Sequence, residues 1–203
     1  MHISETEAHA MTQRRTRPIT AAEYWRMAEL GFFNSERVEF IGGEIVGMSP
    51  QTNWHVSSVM NIQFALMAIF DPQQYWVRNQ ATLDLSPFAV PDPDVAVIVG
   101  SQTNLARIRT YPTTALLIVE VSETTLADDR ARKASLYAAA RIADYWIVNL
   151  VDAVLEVRRD PRVDATAEFG MSYGSLATLQ RSDDVSPLAM PSARIAVDAL
   201  FPF

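Results

Sequence analysis

Cysteine is absent from this chain of 203 residues, which excludes disulfide bonds and thiolate metal sites. The sequence also has no apolar run of the roughly 18 residues that would cross a membrane. Its first residues lack the apolar segment of a secretion signal. These absences favour a cytoplasmic protein that makes no contact with a membrane.

Lysine is almost absent as well, because Lys133 is the only lysine among 17 lysine and arginine residues. Arginine stays protonated and presents a planar fork, whereas lysine is a compact point charge whose pKa shifts readily. A sequence that uses arginine wherever it needs positive charge has kept an ammonium group at this position. Two interpretations follow: a specific chemical role, or an ordinary helix-surface lysine paired with Asp129 at i, i+4 spacing.

An excess of basic residues is missing too, since the formal net charge is −7. Proteins that hold nucleic acid along a broad face usually carry a basic stripe. Local basic patches remain available from three groups of arginines: Arg107 and Arg109; Arg130 and Arg132; Arg158, Arg159 and Arg162. Any binding of nucleic acid should therefore be weak, local or dependent on an oligomer.

The composition is that of a globular protein. Hydrophobic residues make up 49% of the chain and charged residues 20%, which is enough to build a sizeable core. The N-terminal segment is polar and carries no pattern of a helix or strand. We therefore expect a disordered leader at residues 1–18 and a single domain at residues 19–203.

Local patterns place helices and strands along that domain. Thr20-Ala-Ala-Glu23 has the spacing of a capping box, and Gly42-Gly43 predicts the turn of a β-hairpin. Asn53 is the expected N-cap of a helix that runs to about Phe70. The predicted elements are a helix at 20–30, hairpin strands at 37–41 and 44–48, a helix at 53–70, strands at 75–85, 94–99 and 114–121, a helix at 128–142, strands at 145–150 and 153–158, and hairpins after residue 166. This order predicts an α/β fold, a mixed β-sheet flanked by helices with added β-hairpins.

Two carboxylates interrupt strands that are otherwise apolar. Asp94 opens the predicted strand at 94–99, and Glu120 lies inside the most apolar one, where it shares a face with Ile118 and Leu116 by alternation. An ionised carboxylate in such a strand is costly unless it is paired or binds a cation. A salt-bridged glutamate at a strand end and a functional site are equally good interpretations at this point.

Lys133 lies on a helical stripe that faces the core. The stripe is formed at i, i+3, i+4 and i+7 spacing by Asp129, Lys133, Leu136, Tyr137 and Ala140. The short link between the strand of Glu120 and this helix allows the helix to fold back over the strand. Asp94, Glu120 and Lys133 therefore form the candidate site.

Four segments of the chain resemble the Uma-type family of bacterial proteins, which is placed in the PD-(D/E)XK nuclease superfamily. They read Pro93-Asp94-Val-Ala-Val, Ile118-Val-Glu120-Val-Ser122-Glu-Thr-Thr125, Asp129-Arg-Ala-Arg-Lys133-Ala-Ser-Leu-Tyr137-Ala and Asp144-Tyr-Trp-Ile-Val148. The resemblance extends from about residue 20 to the C-terminus, and the segment 120–146 is its specific part. It implies a restriction-endonuclease-like fold.

The resemblance also implies a chemistry. Asp94 and Glu120 correspond to the acidic metal ligands, which would hold Mg²⁺, or Mn²⁺ as a substitute, together with the backbone carbonyl of Val121. The superfamily pattern has a lysine two residues after the second acid, but Ser122 stands there, so Lys133 is the implied replacement. The implied activity is metal-dependent hydrolysis of nucleic acid, with DNA as the expected substrate. The alternative left open is an inactive fold that serves as a binding module or oligomeric scaffold.

Other polar residues are accessory candidates. His55 heads a helix, and a structural role is favoured for it. Glu39 in the hairpin is either an added ligand or a surface residue, and Asp129 is expected to pair with Lys133 and orient it. Asp92 is expected to point away from the site.

The aromatic residues predict an oligomer. The chain contains four tryptophans and ends in Leu200-Phe201-Pro-Phe203. Compact α/β proteins often bury such residual apolar surface in a two-fold dimer. We therefore expect a homodimer.

Overall fold

The computed structural model describes residues 17–85, 87 and 89–203. Most of the leader expected at residues 1–18 lies outside this range. The Arg17 guanidinium is 2.7 Å from a carboxylate oxygen of Glu23, and the Ile19 N–H donates to the carbonyl of Gly43 at 3.1 Å. Arg17 and Ile19 thus contact the body of the domain.

The described elements alternate between helices and strands. In chain order they are α1 (Ala21–Glu29), β1 (Val38–Ile41), β2 (Glu44–Gly47), α2 (Asn53–Met67), β3 (Tyr75–Asn79), β4 (Ala89–Val90), β5 (Val95–Val99), α3 (Gln102–Leu105), β6 (Leu117–Ser122), α4 (Leu126–Asp128), α5 (Ala134–Ala139), β7 (Asp144–Asn149), β8 (Val154–Val163), β9 (Met171–Leu179), β10 (Asp184–Val185) and β11 (Ile195–Ala196). A π-helical turn, Asp129–Lys133, joins α4 to α5, and a 3₁₀ turn, Val197–Leu200, follows β11.

A six-stranded mixed sheet forms the centre of the described domain, in the order β3-β5-β6-β7-β8-β9. Strands β6 and β7 pair in parallel, whereas the other neighbours are antiparallel. A parallel pair needs a crossover connection, and the helical segment from α4 to α5 supplies it. The predicted mixed sheet flanked by helices is confirmed.

Both faces of this sheet are covered, which explains the unbroken apolar run in β6. On one face, α2 packs Val59, Ile62 and Leu66 into the core that contains Val97 and Val119. The other face is covered by α5 and by the hairpin region, and its core residues include Ile41, Ala96, Ile118, Leu136 and Tyr137. The active-site candidates belong to this second face.

The hairpin forms a second, small sheet in the order β2-β1-β4. Its turn residues have positive φ angles, 63° at Gly42 and 80° at Gly43, a conformation that favours glycine. The Thr20 capping box is also present, because the Glu23 N–H donates to Thr20 Oγ1 at 3.2 Å and the Thr20 N–H donates to the Glu23 carboxylate at 2.8 Å. The hairpin and the start of α1 were therefore predicted correctly.

Several predicted boundaries were wrong. The N-cap of α2 is Thr52, whose Oγ1 accepts the His55 N–H at 3.2 Å, and Asn53 is the first helical residue. Strand β3 ends at Asn79, just before Gln80 with its φ of 47°, so the predicted strand at 75–85 is about half as long. The predicted helix at 128–142 instead starts at Leu126, contains the π turn and ends at Ala139.

The outer face of α2 is apolar and exposed. The helix contains no Asp, Glu, Lys or Arg, and the outward side chains of Met60, Phe64 and Met67 are 46%, 61% and 54% exposed. Large apolar side chains that are exposed together on one surface are typical of a contact site. Among the described residues, no helix has the length and apolar character needed to span a membrane. The C-terminal Leu200 and Phe201, which contributed to the homodimer prediction, are buried within their own chain.

We expect the α2 face to be covered by the same face of a second copy. Static light scattering at micromolar concentration should give twice the chain mass. The double variant Met60→Gln/Phe64→Gln should give the monomer mass, because it places amides in the apolar contact. Val163→Gln, at another exposed apolar position, is the control and should stay dimeric. A monomeric wild-type chain would contradict the prediction.

Candidate active site

Asp94 and Glu120 lie side by side on neighbouring strands. The antiparallel register pairs Val95 with Val119, and one further step places Asp94 opposite Glu120. The Asp94 N–H donates to Glu120 Oε2 at 3.3 Å, and the Val121 N–H donates to Asp94 Oδ2 at 2.9 Å. Each carboxylate is thus held by the backbone of the other residue's strand.

Both carboxylates are buried, with 7% of Asp94 and 3% of Glu120 exposed. Burial raises the pKa of Asp94, with His55 opposing the shift. Burial also raises the pKa of Glu120 well above its usual value; the Lys133 charge opposes this shift and the Asp94 charge adds to it. The ionised pair is therefore costly by itself, and a cation at the pair would offset that cost.

The Lys133 ammonium points toward Glu120 and Glu39 rather than toward solvent. Its Nζ lies 3.1 Å from Glu120 Oε1 and 3.2 Å from Glu39 Oε2. Burial acts to lower the pKa of Lys133, but the charges of Glu120 and Glu39 outweigh it, so the net pKa is well above the usual value. The group stays an ammonium ion at neutral pH.

Asp129 does not form the expected ion pair with Lys133. Its carboxylate Oδ2 accepts from Ser122 Oγ and from Thr125 Oγ1, both at 2.6 Å. These bonds fasten the end of β6 to the start of the crossover helix. The i, i+4 pairing expected for a regular helix fails because Asp129–Lys133 is a π turn, a feature that is frequent at functional sites.

Tyr137 is a site neighbour that sequence reasoning assigned only to the core. Its hydroxyl donates to Glu120 Oε1 at 2.6 Å, and its side chain is fully buried. Tyr137 follows Lys133 by one helical turn, so both contact the same carboxylate oxygen. The shared stripe in the sequence was the signal that could have found it.

His55 also lies at the site, and the structural role favoured for it stays a prediction. Its Nε2 lies 3.1 Å from a carboxylate oxygen of Asp94. Its Nδ1 is buried without a hydrogen-bond partner among the described residues. The residue reaches Asp94 because it stands in the first turn of α2, where the Thr52 cap is itself bonded to Glu123 at 2.6 Å.

Glu39 and Asp92 complete the inner surface of the site. Glu39 is only 6% exposed, so a surface role for it is wrong. Asp92 lines the same cleft, and its N–H donates to Glu39 Oε1 at 3.0 Å. That its side chain points away from the site stays a prediction.

These residues surround a cleft of about 460 Å³. Its lining is strongly acidic: the anionic residues are Glu39, Asp92, Asp94, Glu120, Glu123, Asp128 and Asp129, and the cationic ones are Arg132 and Lys133. Within the described ranges, no three His, Asp or Glu side chains are grouped so as to hold a metal ion. Two carboxylates, a backbone carbonyl and retained waters are sufficient for Mg²⁺. The donors of Asp94, Glu120 and Val121 therefore fit Mg²⁺ better than a metal ion that needs all of its ligands from the protein.

Most of the arginines expected to form basic patches have acidic partners. Arg130 and Arg158 both contact Glu156, and Arg159 contacts Asp144. Arg132 contacts Glu44 and Glu168. Because these charges are neutralised, they supply little attraction for a polyanion.

Comparison with known proteins shows to which family this chain belongs. A family model described as "Uma2: Putative restriction endonuclease" matches residues 21–198. The chain belongs to the Uma2 family. A solved structure is similar as well: a crystal structure from Anabaena variabilis, described as "a putative nuclease belonging to DUF820", aligns with a TM-score of 0.63 at 12% identity, covering 91% of this chain and 98% of that chain. At this identity the likeness shows the fold alone, and no curated protein gave a significant match.

The contact between His55 and Asp94 makes a prediction about stability. His55→Gln can keep a donor near the position of Nε2, whereas the shorter side chain of His55→Asn cannot. A hydrogen bond to a charged group contributes about 1.5–3 kcal/mol. Urea unfolding without metal should show that the free energy of unfolding falls by this amount in His55→Asn and by a clearly smaller amount in His55→Gln. Equal losses in both variants would mean that the contact with Asp94 does not stabilise the fold.

Proposed function

We propose that this protein is a metal-dependent endonuclease that hydrolyses phosphodiester bonds of nucleic acid, with DNA as the expected substrate. The observation that carries the proposal is the buried Asp94–Glu120 pair with the Lys133 ammonium 3.1 Å from Glu120. Membership of the Uma2 family supports a nuclease. Metal dependence and the substrate are parts of the proposal that rest on the chemistry of the site.

Asp94, Glu120 and the backbone carbonyl of Val121 would hold Mg²⁺, with Mn²⁺ as a substitute. When bound, the ion supplies a water of lowered pKa and neutralises charge on the phosphate. The raised pKa values of Asp94 and Glu120 are a property of the metal-free pair. Hard oxygen donors in a buried pocket match the preference of this ion.

Lys133 would act on the phosphate and on the attacking water. A fixed ammonium donates hydrogen bonds to the water and stabilises the negative charge that develops on the phosphate in the transition state. Its charge has most effect in a pocket from which bulk water is excluded, and Lys133 is only 12% exposed. Tyr137 holds Glu120 in place through the 2.6 Å hydrogen bond.

The acidic cleft places a condition on substrate binding. A phosphodiester backbone is repelled by the carboxylates of the lining until divalent cations neutralise them. The paired arginines do not compensate. Nucleic acid should therefore bind locally and only when the metal is present.

An inactive scaffold is the second candidate, and Ser122 is the observation that favours it. Ser122 occupies the position at which the superfamily pattern has lysine, and its hydroxyl is engaged with Asp129 at 2.6 Å. In a scaffold, the carboxylates and Lys133 would only hold structure. The two candidates differ in whether a divalent ion binds at Glu120.

Glu120→Gln tests the metal site. Mg²⁺ or Mn²⁺ should raise the melting temperature of the wild-type protein, by about 2–4 °C for each kcal/mol of binding free energy. The variant removes the charge but keeps the shape, so the shift and the cleavage of DNA and RNA substrates should both disappear. Glu29→Gln, at an exposed carboxylate of α1 outside the cleft, is the control and should retain both. A wild-type protein without a metal-dependent shift would favour the scaffold.

Lys133→Arg tests the ammonium. The variant keeps the positive charge but replaces a point donor with a bulky planar fork. It should fold, retain the Mg²⁺-dependent melting shift, and lose about 10²–10³-fold in cleavage rate, the usual effect of removing one preorganised donor. Unchanged cleavage would show that Lys133 is not part of the chemistry.

A further inference from the structure

Glu39 provides the second contact of the Lys133 ammonium. Among the described residues, the carboxylates within 4.0 Å of Nζ are those of Glu120 and Glu39. Glu39 lies in β1, in the small sheet, and is separated from Lys133 by 94 positions in the chain. Glu39 is therefore the contact of the small sheet with the Lys133 ammonium.

Glu120 and Glu39 must differ in function if Glu120 binds a metal ion. Glu120 is a proposed metal ligand, and a cation bound there would take up its charge and repel the nearby ammonium. Lysine has a long flexible stem, so an ammonium held by Glu120 alone would be released when the metal binds. A second carboxylate that does not bind the metal keeps the ammonium in position.

The contacts of Glu39 suit it to hold the Lys133 ammonium. Its Oε1 accepts the Asp92 N–H at 3.0 Å and lies 3.3 Å from Nζ, and its Oε2 lies 3.2 Å from Nζ. Both oxygens are thus engaged by donors. Its strand is held on both edges, by β2 and by β4, so the carboxylate has little freedom to turn toward another ligand.

We propose that Glu39 is a positioning residue that holds the Lys133 ammonium beside Glu120, so that the small sheet is part of the active site. The inference rests on the proposed function. It assigns Glu39 an effect on the lysine and excludes it as a third metal ligand.

The test uses Glu39→Gln, with Glu44→Gln as the matched control. Glu44 lies in the same hairpin and also pairs with a cation, Arg132 at 2.6 Å, but its side chain is 67% exposed. Glu39→Gln removes the charge with little change of shape. Glu39→Asp keeps the charge on a shorter stem and serves as a second variant if the first does not fold.

Because Lys133 is the only lysine, its accessibility can be measured directly. An amine-reactive reagent modifies it and the N-terminal amine alone, and peptide mass spectrometry separates the two. In the native metal-loaded protein, the modification rate of Lys133 should rise at least about tenfold in Glu39→Gln, since an unpaired ammonium on a flexible stem becomes available. The rate should be intermediate in Glu39→Asp and unchanged in Glu44→Gln.

Cleavage kinetics supply the second readout. Glu39→Gln should lower kcat by about 10–100-fold, the range of preorganisation effects, while KM and the Mg²⁺-dependent melting shift stay close to wild type. A rise in modification without a loss of kcat would overturn the positioning role, and so would a loss of the melting shift, which would make Glu39 a ligand. If the wild-type protein cleaves no substrate, the proposed function fails, and the modification rate still decides whether Glu39 holds Lys133.

Discussion

The Lys133 ammonium lies between Glu120 and Glu39, at 3.1 Å and 3.2 Å, and much of the fold serves to bring these three charges together. Glu120 comes from the centre of the main sheet, Glu39 from the small sheet, and Lys133 from the helical crossover between two parallel strands. Any one of these layers could be displaced only by leaving a buried charge without its partner. Breaking a buried ion pair from one side costs about 3–5 kcal/mol, so the interaction fixes how the layers meet.

Three buried charges are not the most stable way to fill this part of the protein interior. Apolar residues of similar volume are often as stabilising as a buried ion pair, or more so. The apolar strand β6 nevertheless carries Glu120, and the buried carboxylates of the site accept hydrogen bonds: Asp94 from the Val121 N–H, Asp129 from Ser122 and Thr125, Glu120 from Tyr137, and Glu39 from the Asp92 N–H. A group of buried charges that is retained despite its cost in stability is typical of a functional site.

The sequence predicted those parts that depend on local patterns. The capping box predicted the start of α1, the paired glycines predicted the hairpin, and the order of helices and strands predicted the mixed sheet. Alternation and helical spacing placed Glu120 and Lys133 on facing surfaces, and the structure brings them together, although their chemical roles stay predictions. The sequence could not place Glu39 and His55 at the site, because their proximity to it arises from packing between distant segments, which periodicity does not encode. The π turn was missed because the spacing argument assumes the geometry of a regular α-helix throughout.

The chain separation within the site has a consequence for folding. The contact of Glu39 with Lys133 spans 94 positions and that of His55 with Asp94 spans 39. Closing long loops has an entropic cost that must be met before the contact forms, and contacts of this kind slow folding. The site is therefore assembled only after the small sheet, α2 and the crossover have docked. A nascent or partly unfolded chain has the separate residues but no site, so this architecture ties any cleavage activity to completion of the whole domain.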